Sequence, residues 1–130
     1  MSYTLSRTLE RSYDEAVKAV REALAEQGFG VLTEIDLAGT LKQKLDVDLP
    51  PQVILGACRP PLAHAALQAD PSIGALLPCN VVVRALEAGS CRVEILDPAT
   101  MVTLAGGEGL QAVADEAKQR LQAALDSLPS

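Results

Sequence analysis

Polar and apolar residues alternate along the first ten positions of the chain. In residues 4–10, Leu5 and Leu9 share one face, while threonine, serine and glutamate occupy the other. This alternation predicts a half-buried β-strand. Arg7 is the one charged residue on the apolar face. Because a charge is costly to bury without a partner, the strand is expected at an edge of the sheet.

The pattern changes to a helical period after residue 12. Ser12 and Glu15 have the spacing of a capping box, in which the serine hydroxyl accepts a bond from one backbone N–H at the helix start and the glutamate accepts from another. Apolar residues then recur every three or four positions through 13–24, and Gly28 follows. An amphipathic helix is therefore predicted, ending at Gly28, where glycine adopts a left-handed backbone without strain.

A second strand and a short helix come next. Simple alternation predicts that four side chains of the strand share one face: Phe29, Val31, Thr33 and Ile35. Asp36 is typical of a helix N-cap, and the leucines at 37, 41 and 45 supply one apolar residue per helical turn. Gly39 weakens this helix.

Residues 53–58 form an uninterrupted apolar run between prolines. Such a short run favours a strand that is buried on both faces. Pro60 and Pro61 suit the first turn of a following helix, where an N–H group would have no partner anyway. That helix is predicted to end at Asp70, because the residue before a proline avoids the helical conformation.

Residues 79–87 and 91–97 are predicted to form a β-hairpin. A two-residue loop would set Ala85 opposite Arg92 and mix apolar and charged residues on one face. A three-residue loop, Ala88-Gly89-Ser90, avoids this mixing, with Gly89 in the left-handed position. The resulting register is Val83 opposite Ile95, Arg84 opposite Glu94 and Ala85 opposite Val93.

The last part of the chain is predicted to be helical. Asp97 and Pro98 begin a short turn or helix, and residues 109–128 carry the apolar stripe of a long one. The glycine-rich joint at 106–109 lacks the lysine and hydroxyl residue of a phosphate-binding loop, so we interpret it as a hinge. The element order predicts one α+β domain, residues 1–130, with helices covering one face of a mostly antiparallel sheet in a two-layer sandwich.

Composition restricts the functions of this domain. Hydrophobic residues make up 48% of the chain, which excludes intrinsic disorder, and aromatic residues make up only 2%, which disfavours stacking platforms for bases or sugars. The net charge of −6 argues against nucleic-acid and membrane partners, and no apolar run is long enough to span a bilayer. Three cysteines and no signal-peptide pattern predict reduced thiols in a cytoplasmic protein.

Two segments resemble a known family. The runs GFGVLTEIDLAGTLKQKL (28–45) and ILGACRPPLAHAALQADPSIGALLPCNVVV (54–83), with the later Asp97-Pro98 pair, are similar to the bacterial and archaeal family called domain of unknown function 302. The resemblance extends over nearly the whole chain. It implies an α+β sandwich distantly similar to the saddle of the TATA-binding protein, and a homodimer. It implies no activity, and the acidic charge contradicts the DNA-binding analogy.

Cys58 and Cys79 are the leading candidates for a functional site. Cys58 precedes the proline-started helix and has Arg59 beside it, and both features would favour a thiolate. Cys79 begins the next strand. We therefore predict that the two thiols line one pocket at an end of the sheet, beside free N–H groups of the helix. The competing interpretation is that cysteine is a small buried apolar side chain, its commonest role, and this is preferred for Cys91.

A metal site is a weaker alternative. Two thiols, an imidazole and a thioether would suit Cu(I): Cys58, Cys79, His64 and Met101. The ligand spacing of known zinc motifs is absent from the sequence, and no cofactor is predicted.

The residues favour one hypothesis about function over another. The favoured one is a non-catalytic module, a homodimer that binds an unidentified small molecule through Cys58, Arg59 and Cys79 or serves in assembly. The alternative is a thiol-dependent redox protein or enzyme, or a soft-metal binder, that uses Cys58 and Cys79. The first is preferred because a single histidine and few clustered polar groups leave little equipment for acid–base catalysis.

Overall fold

The computed structural model describes residues 2–87, 89–107 and 109–129. The strands are β1 (Thr4–Leu9), β2 (Gly30–Asp36), β3 (Gln52–Cys58), β4 (Cys79–Ala85) and β5 (Cys91–Leu96). The helices are α1 (Tyr13–Glu26), α2 (Leu37–Leu45), α3 (Pro60–Ala69), α4 (Ala99–Ala105) and α5 (Leu110–Asp126), with a 3₁₀ helix at Pro71–Leu76. The predicted order of strands and helices is confirmed.

The five strands form one antiparallel sheet in the order β1-β5-β4-β3-β2. Strands β2 to β5 follow one another along the sheet, and β1 pairs with β5 at the far edge. Helices α1 and α5 pack on one face, and the main hydrophobic core lies between them and the sheet. The fold is therefore the predicted α+β sandwich of two layers. Within the described residues, no helix is long and apolar enough to cross a membrane.

Arg7 accounts for the charged position on the apolar face of β1. β1 is an edge strand, as predicted. Nη1 of Arg7 donates to the carbonyl oxygen of Leu125 at 2.8 Å and to that of Asp126 at 3.2 Å. These carbonyls lie in the last turn of α5, where the usual helical donors run out. The guanidinium therefore interacts with the negative end of a helix.

The predicted helix boundaries at α1 and α2 are confirmed. Ser12 Oγ accepts from the N–H of Glu15 at 3.3 Å, as predicted. It also donates to the Glu15 carboxylate at 2.9 Å, so the glutamate bonds the serine side chain rather than the predicted backbone N–H. Gly28, just beyond α1, has a φ of +83°. Asp36 caps α2 by accepting from the N–H of Gly39 at 2.9 Å. These boundaries were predictable because each depends on residues close together in sequence.

β2 departs from the predicted alternation. Val31 pairs with Ala57, but Thr33 pairs with Gly56, so one extra residue bulges out of the strand between them. Val31 therefore faces the helices, whereas Thr33 and Ile35 lie on the uncovered face of the sheet. The prediction that these residues share one face is wrong, because a bulge reverses the alternation of every residue after it.

β3 is fully buried on one face only. Val53, Leu55 and Ala57 face the helices and are at most 4% exposed, whereas Ile54 on the uncovered face is half-buried. The prediction of a strand buried on both faces is therefore wrong. The apolar run reflects an internal strand that has neighbours on both sides in the sheet, without a second layer above it.

The β4–β5 hairpin has a different register from the predicted one. Val83 pairs with Val93 rather than with Ile95, and Ala85 pairs with Cys91. Every pair is shifted by two residues. Each residue therefore keeps its predicted face and changes its partner, because side chains alternate with a period of two.

The hairpin loop begins one residue earlier than predicted. The N–H of Leu86 donates to the carbonyl of Ser90 at 3.0 Å, so the pairing of the hairpin continues through these two residues beyond β4 and β5. Gly89 has a φ of +82°, the expected left-handed conformation. Ala88, which was placed first in the predicted loop, lies outside the described residues. The predicted position of the loop is wrong, because Ser90, which was placed in the loop, pairs with Leu86.

Arg84 and Glu94 form the predicted ion pair, although not as direct partners. Arg84 lies opposite Arg92, and its Nε donates to the Glu94 carboxylate at 3.0 Å across the diagonal. Arg92 instead donates to the hydroxyls of Ser6 and Thr8 on β1, at 2.8 and 3.0 Å. The two arginines therefore engage different partners, which limits their mutual repulsion.

A second, smaller hydrophobic cluster lies apart from the main core. It is formed by buried residues of α3, the 3₁₀ helix, α4 and α5: Ala66, Ile73, Met101 and Leu110. The 3₁₀ segment is packed down through Ile73, as the apolar character of its sequence predicts. The seam between the two clusters positions the candidate site.

Candidate functional site

A small pocket lies between the two hydrophobic clusters, where the ends of β3 and β4 approach α3, α4 and α5. Its volume is about 30 Å³, and its walls are apolar except at Cys58, Arg59 and Cys79. A space of this size has room for a water molecule or a small ion and not for an organic molecule. The pocket therefore does not fit the small-molecule ligand considered from the sequence.

Strand pairing brings the two cysteines to this pocket. Cys79 pairs with Ala57 at the start of β4, and Cys58 is the next residue along β3. Cys58 is half-buried and Cys79 is buried. The structure therefore places both thiols and Arg59 at one pocket at the end of the sheet. Their role in binding stays a prediction.

The prediction that free N–H groups at the start of α3 lie beside the thiols is wrong. Pro60 and Pro61 occupy the first two positions of α3 and have no N–H. The N–H groups of Leu62 and Ala63 both donate to the carbonyl of Arg59 at 3.0 Å. The start of α3 therefore offers none of the unpaired donors that bind an anion or stabilise a thiolate at other helices.

The electrostatic environment favours a neutral thiol at Cys79. Burial raises the pKa of the Cys79 thiol, and the nearby Cys58 thiol raises it further. Arg59 is partly neutralised, because its Nη1 lies 3.7 Å from the Glu116 carboxylate. Its Nε is buried and has no hydrogen-bond partner among the described residues. Cys79 is therefore not an activated nucleophile in this state.

Cys91, Met101 and His64 lie in three different parts of the structure. Cys91 is buried in the main core, its thiol donates to the carbonyl of Arg11 at 3.4 Å, and burial raises the pKa of that thiol. Met101 is only 4% exposed and lines the pocket, whereas His64 is exposed and does not. In the described part of the chain, no three His, Cys, Asp or Glu side chains group to hold a metal. The four-ligand set is therefore not assembled.

We expect Cys58 to be the first thiol to react with iodoacetamide in the folded protein, because it is the only one of the three that is partly exposed. Cys79 and Cys91 are expected to react only at the rate of unfolding or local opening. Timed alkylation at neutral pH followed by peptide mass spectrometry gives the order. Equal labelling of Cys58 and Cys91 in the native protein would contradict this prediction.

A larger groove, missed from the sequence, runs between α1 and β2. Its volume is about 680 Å³, and Val53 of β3 lies in its wall. The bulge in β2 turns Glu34 and Asp36 toward this groove. Arg21 of α1 forms an ion pair with Glu34. The helical layer thus leaves the inner face of β2 open, and the groove is lined by mixed charges.

Tyr13 lies in the wall of the same groove. Burial raises the pKa of its phenol, and the carboxylates of Asp36, Glu34 and Asp14 raise it further. The groove is thus lined by both acidic and basic side chains, which suit it to polar contacts. No local signal predicted this surface, because simple alternation places Glu34 and Asp36 on the opposite face of the sheet.

The chain was compared with known proteins. A family model described as "Domain of unknown function DUF302" matches residues 5–128. The structure is similar to the crystal structure of an uncharacterized conserved DUF302 protein from Bacillus stearothermophilus, with a TM-score of 0.88 and 28% sequence identity over 97% of this chain and 98% of that one. No curated protein matches the chain. The family resemblance seen in the sequence is confirmed.

Proposed function

Because the chain belongs to the family described as domain of unknown function DUF302, whose description assigns no activity, we propose from its surface that it is a non-catalytic assembly module that forms a cytoplasmic homodimer. The observation that carries this proposal is at α2, which buries none of its residues. A nine-residue helix in water has little stability of its own and normally gains it by packing an apolar face. A partner surface would supply that packing.

The segment around α2 also concentrates exposed apolar side chains. We call residues 32–49, which comprise most of β2, all of α2 and the following loop, the apolar arm. Most of the large hydrophobic side chains that are exposed in the described residues belong to it: Leu32 (66%), Ile35 (46%), Leu45 (67%), Val47 (39%) and Leu49 (49%). Concentrated apolar exposure of this kind marks an interaction surface.

Charge favours a second copy of the chain as the occupant. The whole chain carries a net charge of −6, so two copies repel each other over most of their surfaces. The part of the arm from 37 to 49 has two lysines and two aspartates and is neutral. Lys42 bridges Asp46 and Asp48 at 2.9 and 3.0 Å. This part of the arm is therefore a surface where an identical acidic chain can approach, and a twofold contact is the commonest way to pair identical surfaces.

The thiol-dependent alternative has less support. A redox or nucleophilic cysteine needs an accessible thiolate, whereas Cys79 is buried with a raised pKa, and α3 contributes no free N–H groups beside Cys58. The small pocket also limits any ligand to the size of a single ion. These observations favour assembly over catalysis.

The arm is tested by one charged substitution and a matched control. Leu45→Asp and Leu104→Asp each place one carboxylate at a leucine of nearly equal exposure, 67% and 66%, but only Leu45 lies in the arm. We expect the wild type and Leu104→Asp to sediment at twice the chain mass at micromolar concentration, and Leu45→Asp at the chain mass. Since Leu45 is exposed in the single chain, the variant should keep the wild-type circular dichroism spectrum.

Two outcomes would contradict this proposal. A wild-type protein that sediments as a monomer across the micromolar range excludes the homodimer. A Leu104→Asp variant that dissociates while Leu45→Asp stays dimeric would place the contact away from the arm.

A further inference from the structure

Three sulfur-containing residues from separate elements line the small pocket between the hydrophobic clusters. Cys58 ends β3, Cys79 begins β4 and Met101 lies on α4. We propose that this pocket binds one Cu(I) ion through the two thiolates and the thioether of Met101. The proposal is independent of the homodimer, because none of these residues belongs to the apolar arm.

The ligand types select for a soft monovalent ion. Thiolates and thioethers are preferred by Cu(I), which is stable with two or three sulfur ligands. Zinc sites in proteins are built from four ligands, mostly thiolate and imidazole. The described residues provide no third His, Cys, Asp or Glu near the two cysteines, and the single histidine, His64, is exposed away from the pocket. The donor set therefore fits Cu(I) and not zinc.

The size and polarity of the pocket agree with a single enclosed ion. The volume of about 30 Å³ has room for one ion without its hydration shell. Cys79 is 9% exposed and Met101 is 4% exposed, so two of the three ligands are removed from solvent. An apolar surround of this kind limits the access of water and of competing ligands to a metal.

A positively charged side chain lines the pocket that copper would occupy. Binding converts two thiols and Cu⁺ into a copper dithiolate with a charge of −1, releases two protons and moves no electron. Arg59 lines the same pocket, and its Nε has no hydrogen-bond partner among the described residues. Glu116 lies 3.7 Å from Nη1 of the same guanidinium and offsets part of its charge. Arg59 is thus placed to compensate the negative charge that copper binding would create.

The experiment is a titration of the reduced protein with Cu(I) under anaerobic conditions, in competition with the chromophoric ligand bicinchoninate. We expect one Cu(I) per chain and two protons released per ion. Cys58→Ser and Cys79→Ser should lose this uptake, and Met101→Leu should weaken it by about tenfold or more, since leucine keeps the volume and removes the sulfur. X-ray absorption should show sulfur alone as the nearest neighbour of copper.

Two matched variants serve as controls. Cys91→Ser removes a thiol that lies in the main core, and His64→Ala removes an exposed imidazole that does not line the pocket. Both variants should bind Cu(I) like the wild type. If the substitution of the buried Cys91 impairs folding, His64→Ala alone serves as the control. The proposal is overturned if the wild type takes up no Cu(I), if His64→Ala abolishes uptake, or if the folded Cys58→Ser and Cys79→Ser variants both retain it.

Discussion

Replacing Leu55 by alanine is expected to lower the free energy of unfolding by about 2–5 kcal/mol. Leu55 lies in the middle of β3, is completely buried and packs in the main core under the helical layer. Its loss removes apolar contacts within this core, and close-packed surroundings collapse only partly around the cavity. Urea denaturation followed by circular dichroism measures the change.

Leu104→Ala is the control for this substitution. It deletes the same atoms from a side chain that is 66% exposed on α4, so we expect a change of less than about 0.5 kcal/mol. All samples are compared at one protein concentration, because the stability of a dimer depends on it. Similar losses for the two variants would show that Leu55 is not in the core described above.

Replacing Gly56 by alanine is expected to destabilise the fold by about 1–3 kcal/mol, although it adds only one methyl group. A Cβ at this position points to the uncovered face, where the hydroxyl of Thr33 already lies and where Cγ of Pro78 would be only 2.8 Å away. Thr33 can rotate, but the proline ring has little freedom to move. Differential scanning calorimetry of the purified variant measures the loss.

Gly30→Ala provides the comparison, because Gly30 lies on β2 and the nearest atom to an added Cβ is 3.9 Å away. This variant should change stability by less than about 0.5 kcal/mol. Adding Thr33→Ala to the Gly56→Ala variant should recover part of the lost stability, because the two side chains compete for one space. A double-mutant cycle measures this coupling. If the Gly56 and Gly30 variants are equally stable, the close contact across β2 and β3 is absent.

The secondary structure was predictable because its signals are local. The capping residues Ser12 and Asp36 and the periodic stripe of α5 each involve neighbours within a few positions. Even the edge position of β1 was predictable, from the single charge of Arg7 on an apolar face. The sequence also placed Cys58 and Cys79 at the ends of successive strands, which is why their shared location was predictable.

The errors concern features that alternation alone does not determine. A shift of two residues in the hairpin leaves Val83 and Val93 on the same face, so the hydrophobic pattern is equally satisfied by both registers. The bulge in β2 depends on how that strand meets β3, and it alone decides that Glu34 faces the groove. The error about free N–H groups at α3 was avoidable, because Pro60 and Pro61 already show in the sequence that the first two positions of this helix have no N–H.

The pairing of β1 with β5 has a consequence for biosynthesis. Thr4 lies opposite Leu96 and Leu9 opposite Cys91, whereas the other strands pair with their neighbours in sequence. β1 therefore leaves the ribosome well before β5, the strand with which it pairs, while β2, β3 and β4 can pair as they emerge. Closing so long a stretch of chain is slow, and until it is complete β5 presents an unpaired edge that invites association with other chains. A nascent chain stalled before β5 has emerged should be cut readily by protease within β1, and one stalled after residue 129 has emerged should be protected there.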